Sequence, residues 1–338
     1  MKNLLLAIAV LTCSQSRGLD TDSSSFYFNK GLHEKGNQRL LVASQAFDKA
    51  ISINPQYKEA YLENAQLLMQ MKQLHKAKEN YSKLYELDPQ NKTAIRELME
   101  IYYNYNQFDK AIELAKKCSE CENAQRIIGM SLYKLEDYAE AEKALLAVLQ
   151  KNAQDAEATY TLARNFLDME SYKKAVPWYE KAVAMAGSKN VWMYELGLLY
   201  YNNNDYKNAV IAFEKAAAAG YEQKNDFNEN LGFAYIYSGD FDNGEKILAD
   251  LVRRRPGDKE LIRDVAAAFF DSKNFDKALD YCQKLLEIDM KDGKALYQAG
   301  LCFQKKGMVE RGMQMCDKAI ELDPSLAGLK SKKLSPGM

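Results

Sequence analysis

Turn-forming residues and histidine are scarce: 338 residues include 6 Pro, 17 Gly and 2 His. So little proline and glycine excludes an all-β protein built on many tight turns and points to helices. His33 and His75 are the whole stock of imidazole. Neither stands beside a Cys, Ser or carboxylate in a catalytic arrangement, and both read as surface residues. A surplus of one charge is also missing, since 46 Lys and Arg face 47 Asp and Glu for a net charge of −1. That balance gives nucleic acid or an anionic membrane no whole face to bind. No apolar run approaches the roughly 20 residues that span a bilayer. Glycine-rich phosphate loops, paired metal motifs and nucleophile elbows are absent, so no enzyme activity, cofactor or metal is expected. What is present, 47% hydrophobic and 28% charged residues, describes a folded and soluble chain.

The start of the chain reads as an address. Met1-Lys2-Asn3 precedes an apolar run from Leu4 to Leu11, and Thr12-Cys13-Ser14-Gln15-Ser16 follows. This is the layout of a secretory signal peptide, assigned to residues 1–18, with residues 19–23 as a polar linker. Cys13 is a candidate for lipidation of the bacterial lipoprotein kind. Leu11 and Thr12 depart from the Leu–small–small–Cys box, however, which favours ordinary cleavage near Ser14 to Gly18. The expectation is an exported protein, periplasmic or envelope-associated, with a lipid anchor left open and no transmembrane segment.

Internal repetition is the main feature. A small residue lies three positions after an apolar or aromatic one at Ala43, Ala77, Ala111, Ala141, Ala175, Ala209, Gly244, Ala278 and Gly312. These stand 34 residues apart, except for 30 between Ala111 and Ala141 and 35 between Ala209 and Gly244. Twelve residues before each lies a second small residue: Gly31, Ala65, Gly129, Ala163, Gly197, Gly232, Ala266 and Gly300, with Met99 the exception. Four residues after the first comes a larger side chain, such as Phe47, Tyr81, Leu145, Tyr179, Phe213 or Leu248. Pro55, Pro89, Pro256 and Pro324 close four of the units. Small residues let two helices approach, the larger one fills the gap beside them, and proline ends the second helix.

These columns resemble the tetratricopeptide repeat. Gly31, Ala43, Phe47, Ala50 and Pro55 match its small–small–aromatic–small–Pro pattern. So do Gly197, Ala209, Phe213 and Ala216, and Gly300, Gly312, Ala319 and Pro324. The resemblance covers residues 24–326 as nine units, starting near 24, 58, 92, 122, 156, 190, 225, 259 and 293. It implies an all-α, right-handed α-solenoid of helix–turn–helix repeats, in which stacking supplies the core that one unit lacks. Residues 327–338 are left as a short tail. Leu326 just before it, with Leu329 and Leu334 in it, suit a small amphipathic helix, and the last edge is partly open to a partner or a second copy.

The pattern breaks in the third and fourth units. There Met99 and Cys118 replace small residues, Ala115 replaces the aromatic, and the shortened spacing predicts a shortened helix or turn. Pro177 falls inside the second helix of the fifth unit, where a local distortion is expected. Cys118-Ser-Glu-Cys121 can be a redox pair or half a metal site. With no second pair and no βαβ context, core filling is the better reading. Cys282 and Cys302 fall where an oxidising compartment would let them bridge adjacent units.

In tetratricopeptide arrays the first helices line an inner groove. The corresponding columns here hold Tyr103, Tyr133, Tyr160, Tyr194, Tyr201 and Tyr237, with Arg96, Arg126 and Arg164 among them. Tyrosine and arginine offer contact area with a polar handle and dominate binding hot spots. The resemblance therefore implies a non-catalytic scaffold that holds a protein or peptide partner in this groove, the arginines meeting acidic groups. Packing of tyrosines between repeats, and pairing of the arginines with the chain's own carboxylates, is the competing account. The Lys and Asn positions of the family's chaperone-tail clamp are not reproduced. A carbohydrate-binding protein using the same aromatics is the alternative function.

Overall fold

The structure is a computed structural model that describes residues 23–121 and 123–332. Cys13 and the expected signal peptide lie outside the described residues, as does Leu334 of the tail. Among the described residues there are helices and turns and no strand. The described residues form two compact units that divide between Ser171 and Tyr172.

In the first unit the helices come in consecutive pairs. They are α1 (described over 23–36) with α2 (Leu40–Ile53), α3 (Lys58–Gln70) with α4 (Leu74–Leu87), α5 (Lys92–Asn104) with α6 (Phe108–Lys117), and α7 (Ala124–Lys134) with α8 (Tyr138–Lys151). Helix α9 (Ala156–Asp168) closes this unit. The second unit opens with α10 (Tyr172–Val183). Four pairs follow: α11 (Asn190–Asn202) with α12 (Tyr206–Ala218), α13 (Asn225–Ser238) with α14 (Phe241–Arg254), α15 (Lys259–Asp271) with α16 (Phe275–Ile288), and α17 (Gly293–Lys305) with α18 (Val309–Leu322). A 3-10 turn (Pro324–Leu326) leads into α19 (Ala327–Lys332). Each first helix also packs on the second helix before it, so a unit's core is continuous from pair to pair.

The repeating columns are the contact surface. All seven alanines of the first small column, from Ala43 to Ala278, are fully buried. The approach is closest at three glycines. A Cβ on Gly31 would sit 2.5 Å from the Phe47 ring, one on Gly197 2.5 Å from the Phe213 ring, and one on Gly312 2.5 Å from the Gly300 carbonyl oxygen. The third pair inverts the sizes: Met99 and Ala115 are both fully buried in one core, so the large residue comes from the first helix and the small one from the second. The expected shortening falls on α6, with 10 residues against 14 in α4. Pro177 stands within α10, on its exposed side.

A feature that composition hides lies in the turns. Every first helix ends before a residue with positive φ: Gln38, Lys72, Asn106, Glu136, Glu170, Asn204, Gly239, Lys273 and Gly307. This left-handed residue lets the next amides bond back to the last helical carbonyls, as Lys72 N does to Met69 O at 3.0 Å and Gln73 N to Leu68 O at 2.9 Å. Seven of the nine carry a side chain that works against this conformation.

Cysteine behaves differently from expectation at one site. Cys118 fills the core as read, only 2% exposed, and it is also joined to Cys121 in a disulfide. Cys282 and Cys302 meet as free, buried thiols on α16 and α17. The hydrogen bond they share, reinforced by burial, pushes the Cys282 thiol far up. At the chain's end, Leu326 is buried against Tyr297, Cys316 and Ala319, while Leu329 is exposed.

Candidate functional site

In each unit the first helices carry aromatic pairs. A tyrosine or phenylalanine in the last turn of a first helix meets a ring at the start of the following helix: Tyr103 with Phe108 at 5.7 Å, Tyr133 with Tyr138 at 6.2 Å, Tyr201 with Tyr206 at 5.4 Å, and Phe270 with Phe275 at 5.5 Å. The second ring of each pair was legible only as the apolar anchor before the small column, not as part of a site. The short turn between the helices brings the two rings together.

In the first unit these pairs adjoin arginines bound to the chain's own carboxylates. Tyr133 donates to Asp168 Oδ2 at 2.6 Å. Arg164 lies 4.0 Å from the same carboxylate and donates to the Tyr160 hydroxyl at 3.4 Å. Burial, then the bond to Asp168, pushes the Tyr133 phenol well above its ordinary value. Arg126 Nη1 stands 3.6 Å from Asp155. Asp155 in turn accepts from Ala158 N at 3.0 Å and caps α9. Arg126 thus ties one repeat to the start of the next. Arg96 turns to its neighbour Glu97 at 2.7 Å. The structure therefore gathers Tyr103, Tyr133, Tyr160, Arg126 and Arg164 along α5, α7 and α9, and it engages all three arginines within the chain.

In the second unit Tyr201 and Tyr237 come together, with Tyr206 stacked on Tyr237 at 4.9 Å. Tyr194 does not join them. It is 8% exposed, stacked on Tyr221 at 4.5 Å, and its hydroxyl accepts from Asn230 at 2.9 Å. The turn after α12 runs over six residues (219–224), against four (54–57) after α2, and this longer turn carries Tyr221 back over the ring. The groove expectation for Tyr194 is corrected: it is a core residue. The arginine staple recurs, Arg263 holding Asp292 by two bonds of 3.3 and 3.1 Å, and Asp292 caps α17 through Ala295 N. Burial alone would raise the Asp292 pKa, but Arg263 and the Ala295 amide outweigh it and hold it below the usual range.

Other chemistry is sparse. Among the described residues no group of three or more His, Cys, Asp or Glu could hold a metal ion. No described helix is long and apolar enough to cross a membrane. His33 and His75 are exposed. A cavity of about 240 Å³ lies between α10, α11 and α12, lined in part by Met193, Leu196, Tyr200 and Ile211 and flanked by Glu180 and Lys215. It shares no residue with the aromatic pairs.

Comparison with known proteins agrees with this architecture. Tetratricopeptide repeat profiles match residues 128–190, 160–224 and 230–293, and others of the same description match 58–91 and 293–326, together well over half of the chain. The chain belongs to the tetratricopeptide repeat family. It is similar to human protein O-mannosyl-transferase TMTC1, 29% identical over 48% of this chain and 18% of that protein. It is also similar to the Hsp70-Hsp90 organizing protein of Triticum aestivum, 23% identical over 58% of this chain and 34% of that protein. The chain thus spans between about a fifth and a third of the curated relatives it matches. Among solved structures it is similar to YrrB, described as a TPR protein with an unusual peptide-binding site. There the identity is 26% over 57% of this chain and 100% of that one, with a TM-score of 0.40.

Proposed function

We propose that this tetratricopeptide repeat protein is a non-catalytic scaffold that holds a segment of a partner protein against its first helices, in a complex of the cell envelope. The observation that carries the reading is a set of half-buried rings in each unit, Tyr103 and Tyr133 in one and Tyr201 and Tyr237 in the other. Each is fixed by a neighbouring ring and keeps part of its face in solvent. Rigid aromatic area of this kind binds at low entropic cost. A relative named for organizing Hsp70 and Hsp90 supports an adaptor role. Export, with Cys13 as the lipidation candidate, is part of the proposal. So is self-association through the last pair, where Val309, Met313 and Leu322 are exposed.

Mass determination of the mature N-terminus tests export: loss of residues up to Ser14–Gly18, or an acylated Cys13, is expected, and an intact Met1 contradicts it. Quantitative pull-down tests the scaffold. Tyr133→Ala and Tyr237→Ala are expected to lose a partner that the wild type retains, with unchanged helicity. Retention on envelope polysaccharide with no protein recovered would replace this reading by carbohydrate binding.

A further inference from the structure

The groove reading leaves open what kind of segment each unit accepts. In the second unit α15 packs on α13, the helix of Tyr237, and carries Asp264 and Asp271 two turns apart; both are exposed, and both act electrostatically on the Tyr237 phenol. No described cation lies within ion-pair distance of either; Arg263, the adjacent one, is committed to Asp292. Most neighbouring charge is of the same sign. Partial loss of hydration, then Glu260, raises the Asp264 pKa, with Glu229 and Asp258 adding to the effect against the opposing pull of Arg263.

The rings beside these carboxylates are Tyr201, Tyr206, Tyr237 and Phe270. Tyr201 meets Tyr206 edge-on and lies 6.3 Å from Tyr237, whose other neighbour is the stacked Tyr206. Burial first, then Asp271, Tyr206 and Asp264, raises the Tyr237 phenol. Burial, then Tyr237, Tyr206 and Asp264, raises Tyr201. Aromatic faces with unpaired carboxylates at their rim complement one chemistry: a cation with an apolar stem, whose charge meets the carboxylates while its flat or methylene part lies on the rings. The first unit differs, because its corresponding charges are already paired.

We propose that the second unit's aromatic row is a docking groove for a basic segment of a partner protein, with an arginine or lysine side chain seated over Tyr201 and Tyr237 and held by Asp264 and Asp271. This rests on the groove reading above and specifies the partner's chemistry at that groove. Arginine suits it better than lysine, because its planar head stacks on a ring and bonds two carboxylate oxygens at once.

The test uses the full chain and fluorescein-labelled octapeptides of alternating glycine with arginine, lysine or glutamate, read by anisotropy at low salt. The arginine peptide binds most tightly and the glutamate peptide does not bind. Asp264→Asn with Asp271→Asn weakens the arginine peptide by about tenfold or more, with unchanged helicity, and raised salt weakens it further. If the glutamate peptide binds as well, or if the arginine peptide fails to bind or is indifferent to the double substitution, the proposal is overturned. Tyr237→Ala separates the two levels. Peptide binding that falls with Tyr237→Ala but not with the double substitution removes the cation and keeps the groove. Binding that responds to neither change removes the groove in this unit as well.

Discussion

The two units share a scaffold and differ in how they dispose of charge. Each puts an aromatic pair at the junction of a first and a second helix, Tyr133 with Tyr138 in one and Tyr201 with Tyr206 in the other. Each locks successive repeats with an arginine on the aspartate that caps a later helix, Arg126 on Asp155 and Arg263 on Asp292. Beyond that they part. The first unit spends Arg164 and Asp168 on each other and on Tyr133 and Tyr160, whereas the second leaves Asp264 and Asp271 unpaired beside its rings. The repeat positions the rings, and under the groove proposal the residues between its columns set which charge a partner must bring.

The largest effects should strike both units alike, because they act on the shared columns. Ala111→Arg in the first unit and Ala209→Arg in the second each place a long charged chain where the native side chain is fully buried. Each is expected to cost several kcal/mol, at or above the roughly 1–3 typical of overpacking, as read by chemical denaturation. Unchanged unfolding in either unit would break the equivalence.

Next comes the inverted third pair. Met99→Ala removes a fully buried side chain and should cost about 2–4 kcal/mol. Adding Ala115→Leu, which restores the ordinary order of sizes, should recover part of that loss. Strict additivity in the double-mutant cycle would show that the two residues do not fill a common space.

The arginine staples rank third. Arg263→Ala strands Asp292, whose side chain is 8% exposed, and should cost about 2–3 kcal/mol at neutral pH. Because the folded pKa of Asp292 is depressed, the stability that the pair contributes is present above the ordinary carboxylate pKa and is lost as pH falls through the folded value. The difference between wild type and variant should therefore shrink on acidification. A pH-independent difference would contradict the charge argument.

The smallest effects lie in the turns. Lys72→Gly and Glu136→Gly relieve a left-handed side-chain conformation and should gain at most about 1 kcal/mol each in thermal or chemical unfolding. A loss on both substitutions would mean that those side chains contribute more than their backbone conformation costs.

Legibility followed the same division. The helix pairing was readable because residues such as Ala43 and Gly197 must be small wherever two helices touch, and the short α6 showed as the reduced spacing between Ala111 and Ala141. The left-handed turns were not readable, since Gln38, Lys72 and Glu136 look like ordinary polar surface and the conformation is imposed by the packed helices on either side. In the candidate site, Tyr201 and Tyr237 emerged from their columns. Tyr194 occupied a groove column too, but the return of Tyr221 over it depends on the path of a turn, which column counting does not see. Cys118 was legible as a core residue and its bond to Cys121 was not, because the same C-x-x-C spacing also suits unbonded thiols.

The central claim, that partners are held by the first-helix tyrosines, is most directly tested by site-specific photocrosslinking in intact cells that express the protein. A benzophenone side chain would be placed in turn at Tyr133, at Tyr237 and, as a control, at the exposed His75 at the start of α4. The account predicts a discrete protein adduct from the two tyrosine positions and none from His75. Adducts from His75 alone, or no protein adduct from either tyrosine, would contradict it.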